Sequence, residues 1–168
     1  MLQPIVLYDL NRQLLDGENE AERCWSPNTF KARIPLNIKN IPFTVVWLNF
    51  VDIKPTLSAL GVAPNLPHEN SNEYSCPAIH DPNTGKKVMD SQKILAYLEE
   101  QYSDTPTLFP PHTRALQVAF IDSIIPRLFD ALPGTMILDV LGRLVDVDQP
   151  YFRAKREQAA GTKVENLV

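Results

Sequence analysis

Ser26, in the run Trp25-Ser26-Pro27-Asn28, stands where a helix is expected to begin. Serine is a favoured N-cap and proline a favoured first helical residue. The first turn of a helix carries unpaired N–H groups and a partial positive charge. A hydroxyl placed there can donate a hydrogen bond to an anion such as a thiolate. That bond lowers the thiol pKa and raises the population of nucleophile at neutral pH. A second group is Cys76-Pro77, directly before the short apolar run Ala78-Ile79. A cis bond there would turn the Cys76 backbone outward, leaving its N–H and C=O to pair with an extended peptide as an added strand does. The third is Asp90-Ser91, which opens a strongly periodic helix. Ser91 can cap that helix and bind a carboxylate through its hydroxyl and the free backbone N–H groups, and Asp90 can hold an ammonium. The pair suits the zwitterionic end of a γ-glutamyl group. Taken singly, each feature also has a plain structural reading: a helix cap, a trans proline at a strand start, a capped helix.

These residues need elements to bring them together. Residues 5–8 read as a buried strand and residues 11–23 as a polar loop without periodicity. The helix begun at Ser26-Pro27 is expected to reach about residue 40, burying Phe30, Ile34 and Ile38 at i, i+4 spacing. Pro35 inside it predicts a kink or an early end, since an interior proline costs about 3 kcal/mol. Residues 43–50, rich in Val, Trp and Phe, read as a second strand. Residues 52–72 look irregular, with one helical turn near 56–60. Residues 77–80 and 86–89 flank the turn-forming Asp81-Pro82-Asn83-Thr84-Gly85 and are expected to pair as a hairpin. A helix over 91–102 presents Ile94, Leu95, Leu98 and Tyr102 on one face. The order strand, helix, strand, loop, strand, strand, helix is that of a mixed sheet with helices.

After residue 102 the pattern changes. Residues 102–112 hold three prolines and read as a linker. Beyond them the chain is helical, with Pro126 expected to bend or stop the first helix. Ile137, Leu138, Leu141, Leu144 and Val145 form an apolar stripe, and the stretch from Pro150 is charged and weakly patterned. The domains expected are therefore 1–102, a linker over 103–112, and a helical 113–168.

Composition sets the outer limits. In 168 residues with 44% apolar side chains there is enough for a real core. A net charge of −4 shows no global pull toward nucleic acid or an anionic membrane. No apolar run approaches the roughly 20 residues needed to span a bilayer. The start, Met1-Leu2-Gln3-Pro4, has no signal-peptide pattern, which leaves the cytoplasm as the expected compartment. Cys24 and Cys76 do not make a disulfide framework. His68, His80 and His112 have no metal-ligand spacing, and no phosphate loop or catalytic triad is present.

The order and spacing of the three groups resemble the glutathione-binding N-terminal domain of cytosolic glutathione transferases, and more closely that of fungal glutathione transferases related to bacterial β-etherases. The stretches that carry the likeness are Trp25-Ser26-Pro27-Asn28-Thr29-Phe30-Lys31, Asn37-Ile38-Lys39-Asn40-Ile41-Pro42-Phe43, Asp52-Ile53-Lys54-Pro55-Thr56-Leu57, His80-Asp81-Pro82, Thr105-Pro106-Thr107-Leu108-Phe109-Pro110 and Tyr151-Phe152-Arg153. The resemblance implies an α/β thioredoxin-like N-terminal domain, a mixed four-stranded sheet with helices, followed by a shortened all-α C-terminal domain. It implies that Ser26 bonds the glutathione sulfur with Asn28 assisting, that the Cys76 backbone before Pro77 pairs with the cysteinyl unit, and that Asp90 and Ser91 fix the γ-glutamyl end. Glutathione is then a co-substrate and no cofactor is implied. The partners implied are glutathione and a small hydrophobic electrophile, and often a second copy of the chain in a homodimer.

Two departures from the family pattern stand out. The helical half is considerably longer in the family, so a fragment, a splice form or a decayed copy is expected. Part of the electrophile pocket wall, near residues 120–138, is expected to remain, and the stripe over 137–145 to be laid open as an apolar patch. Related thiol transferases of the omega and glutaredoxin kind carry cysteine at the position of Ser26. Cys24 lies two residues earlier, which leaves inert packing as its first reading and redox chemistry as the alternative. Three functions follow: a conjugating enzyme, a glutathione- or ligand-binding protein with little turnover, or an interaction module on the same fold.

Overall fold

Ile5–Leu10 forms the central strand, β1, and is almost continuously buried. Strands covered on both faces read this way, as unbroken apolar runs. The computed structural model describes residues 2–67, 72–131 and 133–167, apart from the side chains of residues 126, 129–131 and 133–135. His68 lies outside the described residues, as do several side chains of the expected 120–138 pocket wall. The chain divides into two compact units, Met1–Leu108 and Phe109–Val168.

In the first unit β1 is followed by a 3-10 turn at Glu20–Arg23, helix α1 at Pro27–Ile38 and strand β2 at Phe43–Leu48. A further 3-10 turn at Phe50–Asp52 leads into α2, Ile53–Ala59. Strands β3, Ala78–His80, and β4, Lys87–Met89, precede α3, Ser91–Gln101. The sheet order is β2-β1-β3-β4, with β1 parallel to β2 and antiparallel to β3. This is the thioredoxin-like mixed sheet. The hairpin pairs Ala78 with Met89 and His80 with Lys87.

The period-2 alternation of β1 sorts two cores. Ile5 and Leu7 join Ala32, Leu36, Ile79, Ile94 and Leu98 on the face covered by α1 and α3. Tyr8 and Leu10 join Leu48, Ile53, Leu57, Cys76, Ala78 and Met89 on the other. Each fully buried Leu or Ile is worth about 1.5–3 kcal/mol.

Several expectations for α1 do not hold. The helix runs through Pro35 to Ile38, and Pro35 is buried. The C-terminal end is closed by Lys39 and Ile41, whose N–H groups donate to the Pro35 and Leu36 carbonyls, with Asn40 in the left-handed region at φ 52°. The buried face is Thr29, Ala32 and Leu36 at i, i+3, i+7, not Phe30, Ile34 and Ile38, which are 37, 53 and 47% exposed. The small Thr29 and Ala32 allow close approach to the sheet, whereas Phe30, Ile34 and Ile38 point away.

Buried charged groups, Lys39 and Asp81 among them, hold this unit together. Lys39, 2% exposed, pairs with Glu99 at 2.8 Å and donates to the Tyr102 carbonyl and the Thr105 hydroxyl at 3.1 Å each. It thereby joins the end of α1 to the end of α3. Asp81, fully buried in the β3–β4 turn, accepts from the Tyr102 hydroxyl at 2.5 Å, the Tyr97 hydroxyl at 2.6 Å and the Asn83 backbone N–H at 2.8 Å. Burial alone would raise its pKa, but the tyrosine and asparagine donors outweigh it and hold the carboxyl below its usual range.

The second unit contains α4, Arg114–Ala131, α5, Pro133–Arg143, α6, Gln149–Ala160, and a 3-10 turn at Val164–Leu167. The backbone of α4 stays helical through residue 126, so Pro126 does not end it. The stretch after Pro150 is a helix rather than an unpatterned tail. Pro150 lies in its first turn, and Gly161, at φ 66°, closes it with an N–H to the Glu157 carbonyl. Leu141 and Leu144 of the 137–145 stripe are buried, as are Phe152 and Val164. Leu138 is 37% exposed, so the stripe is laid open only in part, and the most exposed large apolar residues lie on α4, where Leu116 is 73% and Phe120 62% exposed. Among the described residues no helix is long and apolar enough to cross a membrane, and no acidic, histidine or cysteine cluster could hold a metal.

Two measurements check this description. Asp81 has a depressed folded pKa, so it contributes stability above about pH 4 that is lost as pH falls through the folded value. Tyr97, pushed up to about 12 by burial and the Asp81 hydrogen bond, contributes below about pH 10 and loses that contribution as pH rises toward 12. Asp81→Asn is expected to cost about 2–3 kcal/mol at pH 7. In denaturant titrations across pH it should also flatten both limbs of the stability profile. Cys76 is buried and its thiol is pushed far up, first by desolvation and then by Asp9, while Cys24 is half-buried. A thiol reagent such as Ellman's should therefore titrate one thiol in the folded protein, and none in Cys24→Ser.

Candidate active site

The carboxyl end of β1 is where the three predicted groups meet. The β1–β3 register pairs Tyr8 with Ala78. Continued by two residues, it sets Cys76 alongside Leu10, and both belong to one buried cluster. The Cys76–Pro77 peptide bond is cis, and both residues are buried. On the far side the Asp90 N–H donates to the Pro77 carbonyl at 3.3 Å, which places the start of α3 next to this bend. On the near side the Trp25 indole N–H donates to the Leu10 carbonyl at 3.1 Å, and Trp25 packs on the same cluster as Cys76. Ser26 follows directly. The segments of Ser26, Cys76-Pro77 and Asp90-Ser91 thus share one end of the sheet.

Ser26 is the N-cap of α1, 3% exposed, with Pro27 in the first turn. Its hydroxyl makes no capping hydrogen bond, while its carbonyl accepts from the Thr29 and Phe30 N–H groups at 3.1 Å each. Capping serines ordinarily spend the hydroxyl on the second or third helical N–H; this one does not. One turn along, the fully buried Thr29 hydroxyl has no hydrogen-bond partner. Asn28 is exposed, and its Oδ1 accepts from Lys31 Nζ at 2.9 Å.

At the third group the capping role moves by one residue. Asp90, not Ser91, is the N-cap of α3: its Oδ1 accepts from the Gln92 and Lys93 N–H groups at 2.9 and 3.2 Å. Its backbone sits at φ 83°, a region that non-glycine residues seldom occupy. Such outliers persist where the surroundings over-determine them and concentrate at ligand sites. Ser91 is the first helical residue and is half-buried.

The stretch before Ser26 was expected to be featureless, and it is not. Asn19 and Glu22 form a capping box around the 3-10 turn, a signal legible in the spacing of Asn19 and Glu22. Arg12, 4% exposed, is bonded to Glu18, to the Gln13 carbonyl and to the Glu22 carbonyl. Arg23 donates to the Asn11 side chain and the Arg12 carbonyl. On the other side of α1, Arg33 pairs at 2.8 Å with the buried Asp9 of β1.

Comparison with known proteins agrees with this fold. The family described as glutathione S-transferase, N-terminal domain, matches residues 25–101. A glutathione S-transferase-like protein of Aspergillus flavus, ustS, is 39% identical over 93 residues, covering 52% of this chain and 33% of its own. The structure superposes on a glutathione transferase from Phanerochaete chrysosporium with a TM-score of 0.87 and 36% identity, over 99% of this chain and 65% of that one. A glutathione S-transferase of Ceriporiopsis subvermispora, solved in complex with glutathione, gives 0.86 and 33% over 99% of this chain and 66% of that one. The chain thus spans a third of the first relative and just under two thirds of the two solved proteins. Residues 25–101 thus match the glutathione S-transferase N-terminal domain, and the fold is shared along nearly the whole chain with fungal glutathione transferases.

Proposed function

We propose that this chain binds glutathione at the carboxyl end of β1 and transfers its thiolate to a small aromatic electrophile. The observation that carries the reading is the convergence of an uncommitted N-cap hydroxyl, a cis-proline bend and an aspartate-capped helix start at one end of the sheet. Two relatives sharing 33 and 34% of the sequence were solved with glutathione, which supports the same ligand here. The backbone N–H and C=O of Cys76 would pair with the cysteinyl unit as a short added strand. The first turn of α3 and the Ser91 hydroxyl would receive the γ-glutamyl carboxylate. Asp90 would meet the ammonium with a carboxylate already oriented by the Gln92 and Lys93 amides.

The chemistry then falls to Ser26. Its hydroxyl donates to the sulfur, the thiol proton leaves to solvent, and the partial positive charge of the α1 start favours the anion. The thiolate attacks an electrophilic carbon and a C–S bond forms. The leaving group departs with the bonding pair: an aryl ether, for example, releases a phenolate that takes a proton from water. Asn28, exposed at the second helical position, assists near the sulfur. In this reading the protein works in the cytoplasm, where its co-substrate is found, and pairs as a homodimer.

Retention on immobilised glutathione is the first test, and folded protein that flows through contradicts the reading. Ser26→Ala should lower conjugation of a chlorodinitrobenzene by about 10- to 100-fold, the worth of one hydrogen bond to a charged group. Glutathione affinity, read by calorimetry, should stay within about threefold. Unchanged turnover removes Ser26 from the mechanism. Retention without any turnover in the wild-type chain makes it a glutathione-binding protein instead.

A further inference from the structure

The Ser26 hydroxyl makes no capping bond, so the backbone alone places it: the first turn of α1 on one side and the chain that leads to it on the other. That chain is fastened at Arg23. One arm of the guanidinium, Nη1, donates to the Asn11 Oδ1 at 2.6 Å and to the Arg12 carbonyl at 2.9 Å. The Nε and Nη2 groups bond the two Glu20 carboxylate oxygens at 2.9 and 2.7 Å. The guanidinium carbon lies 5.9 Å from the Trp47 ring centroid on β2, a ring that Arg33 also approaches at 5.2 Å. Asn11 is itself tied to the end of β2, through its N–H to the Leu48 carbonyl at 2.8 Å and its Nδ2 to the Asn49 Oδ1 at 2.9 Å. Three residues before Ser26, then, one side chain grips the carboxyl ends of both parallel strands.

We infer that Arg23 is a positioning residue for Ser26, holding the approach to α1 so that the hydroxyl meets the sulfur. The inference rests on the reading that Ser26 bonds the glutathione thiolate. A planar fork that bonds an amide oxygen, a backbone carbonyl and a carboxylate while stacking on an indole cannot be reproduced by an ammonium. Hydrogen bonds weaken steeply with misalignment, so a small drift of the segment from Arg23 to Ser26 is enough to uncouple hydroxyl from sulfur. The grip on the peptide by Cys76 and α3 lies on other segments and is left in place.

The test follows the ionisation of bound glutathione by thiolate absorbance against pH in wild type, Ser26→Ala, Arg23→Ala and Arg23→Lys. Hydrogen exchange at the amides of Asn11, Thr29 and Phe30, which are hydrogen-bonded in the structure, is measured alongside, without glutathione. Both Arg23 variants are expected to raise the bound thiol pKa by about one unit, which is about tenfold less thiolate below the pKa. Their glutathione dissociation constants should stay within about threefold, and exchange at the three amides should quicken. Arg23→Lys keeps the charge, and it is the variant read should Arg23→Ala lose its fold. A wild-type titration in Arg23→Lys overturns the inference, because charge alone then accounts for the effect. Unchanged exchange in the variants overturns it whether or not glutathione binds. A wild-type protein that leaves the thiol at its free pKa contradicts the role of Ser26 instead, and the exchange measurement still decides whether Arg23 holds the segment.

Discussion

Three hydrogen bonds to backbone carbonyls gather the candidate site at the carboxyl end of β1. The Leu48 carbonyl of β2 takes the Asn11 N–H, the Leu10 carbonyl takes the Trp25 indole, and the Pro77 carbonyl takes the Asp90 N–H. The first two hold the approach to α1 against the end of the sheet, and the third joins the cis-proline bend to the start of α3. A strand flanked by a parallel and an antiparallel neighbour is held in one register by both. A slip of one residue would turn Leu10 and Tyr8 out of the core they share with Cys76, so the apolar packing that stabilises the sheet also fixes the geometry of the polar site.

Buried charge plays the complementary part. Asp9 with Arg33, Lys39 with Glu99, and Asp81 with its tyrosines each join elements distant in sequence. Buried charges left unpaired are costly, so these pairs disfavour arrangements in which α1 or α3 sits differently on the sheet. Lys39 shows the effect plainly: a lysine 2% exposed is tolerated only because Glu99, the Tyr102 carbonyl and the Thr105 hydroxyl all receive it.

The element order and the hairpin were legible because they rest on local signals: Ser-Pro at a helix start, a turn-rich segment between two short strands, a clean 3.6-residue period in α3. The three candidate groups were legible as sequence patterns by the same means, and the structure brings their segments to one end of the sheet. Local reasoning failed where tertiary packing chose between alternatives. In α1 the largest apolar side chains were expected inside, yet the sheet takes the smaller Thr29 and Ala32 with Leu36. Pro35 was expected to kink or end the helix, and it does not end it: a proline near a C-terminal end removes one hydrogen bond and leaves the closing bonds of Lys39 and Ile41 intact. The Arg12 and Arg23 network was invisible because arginine in a polar loop carries no periodicity; only the Asn19–Glu22 spacing hinted at order. Helix α6 was missed although Pro150 and Gly161 bracket it as start and stop signals, because its apolar face is narrow and centred on Phe152.

The central claim is a meeting of one hydroxyl and one sulfur, and a crystal structure of this chain grown with glutathione tests it most directly. The account predicts the sulfur within about 3.5 Å of the Ser26 Oγ. The cysteinyl backbone should run along Cys76, with the γ-glutamyl end at Asp90 and Ser91. Glutathione bound elsewhere, or bound here with its sulfur turned out of reach of Ser26, would contradict it.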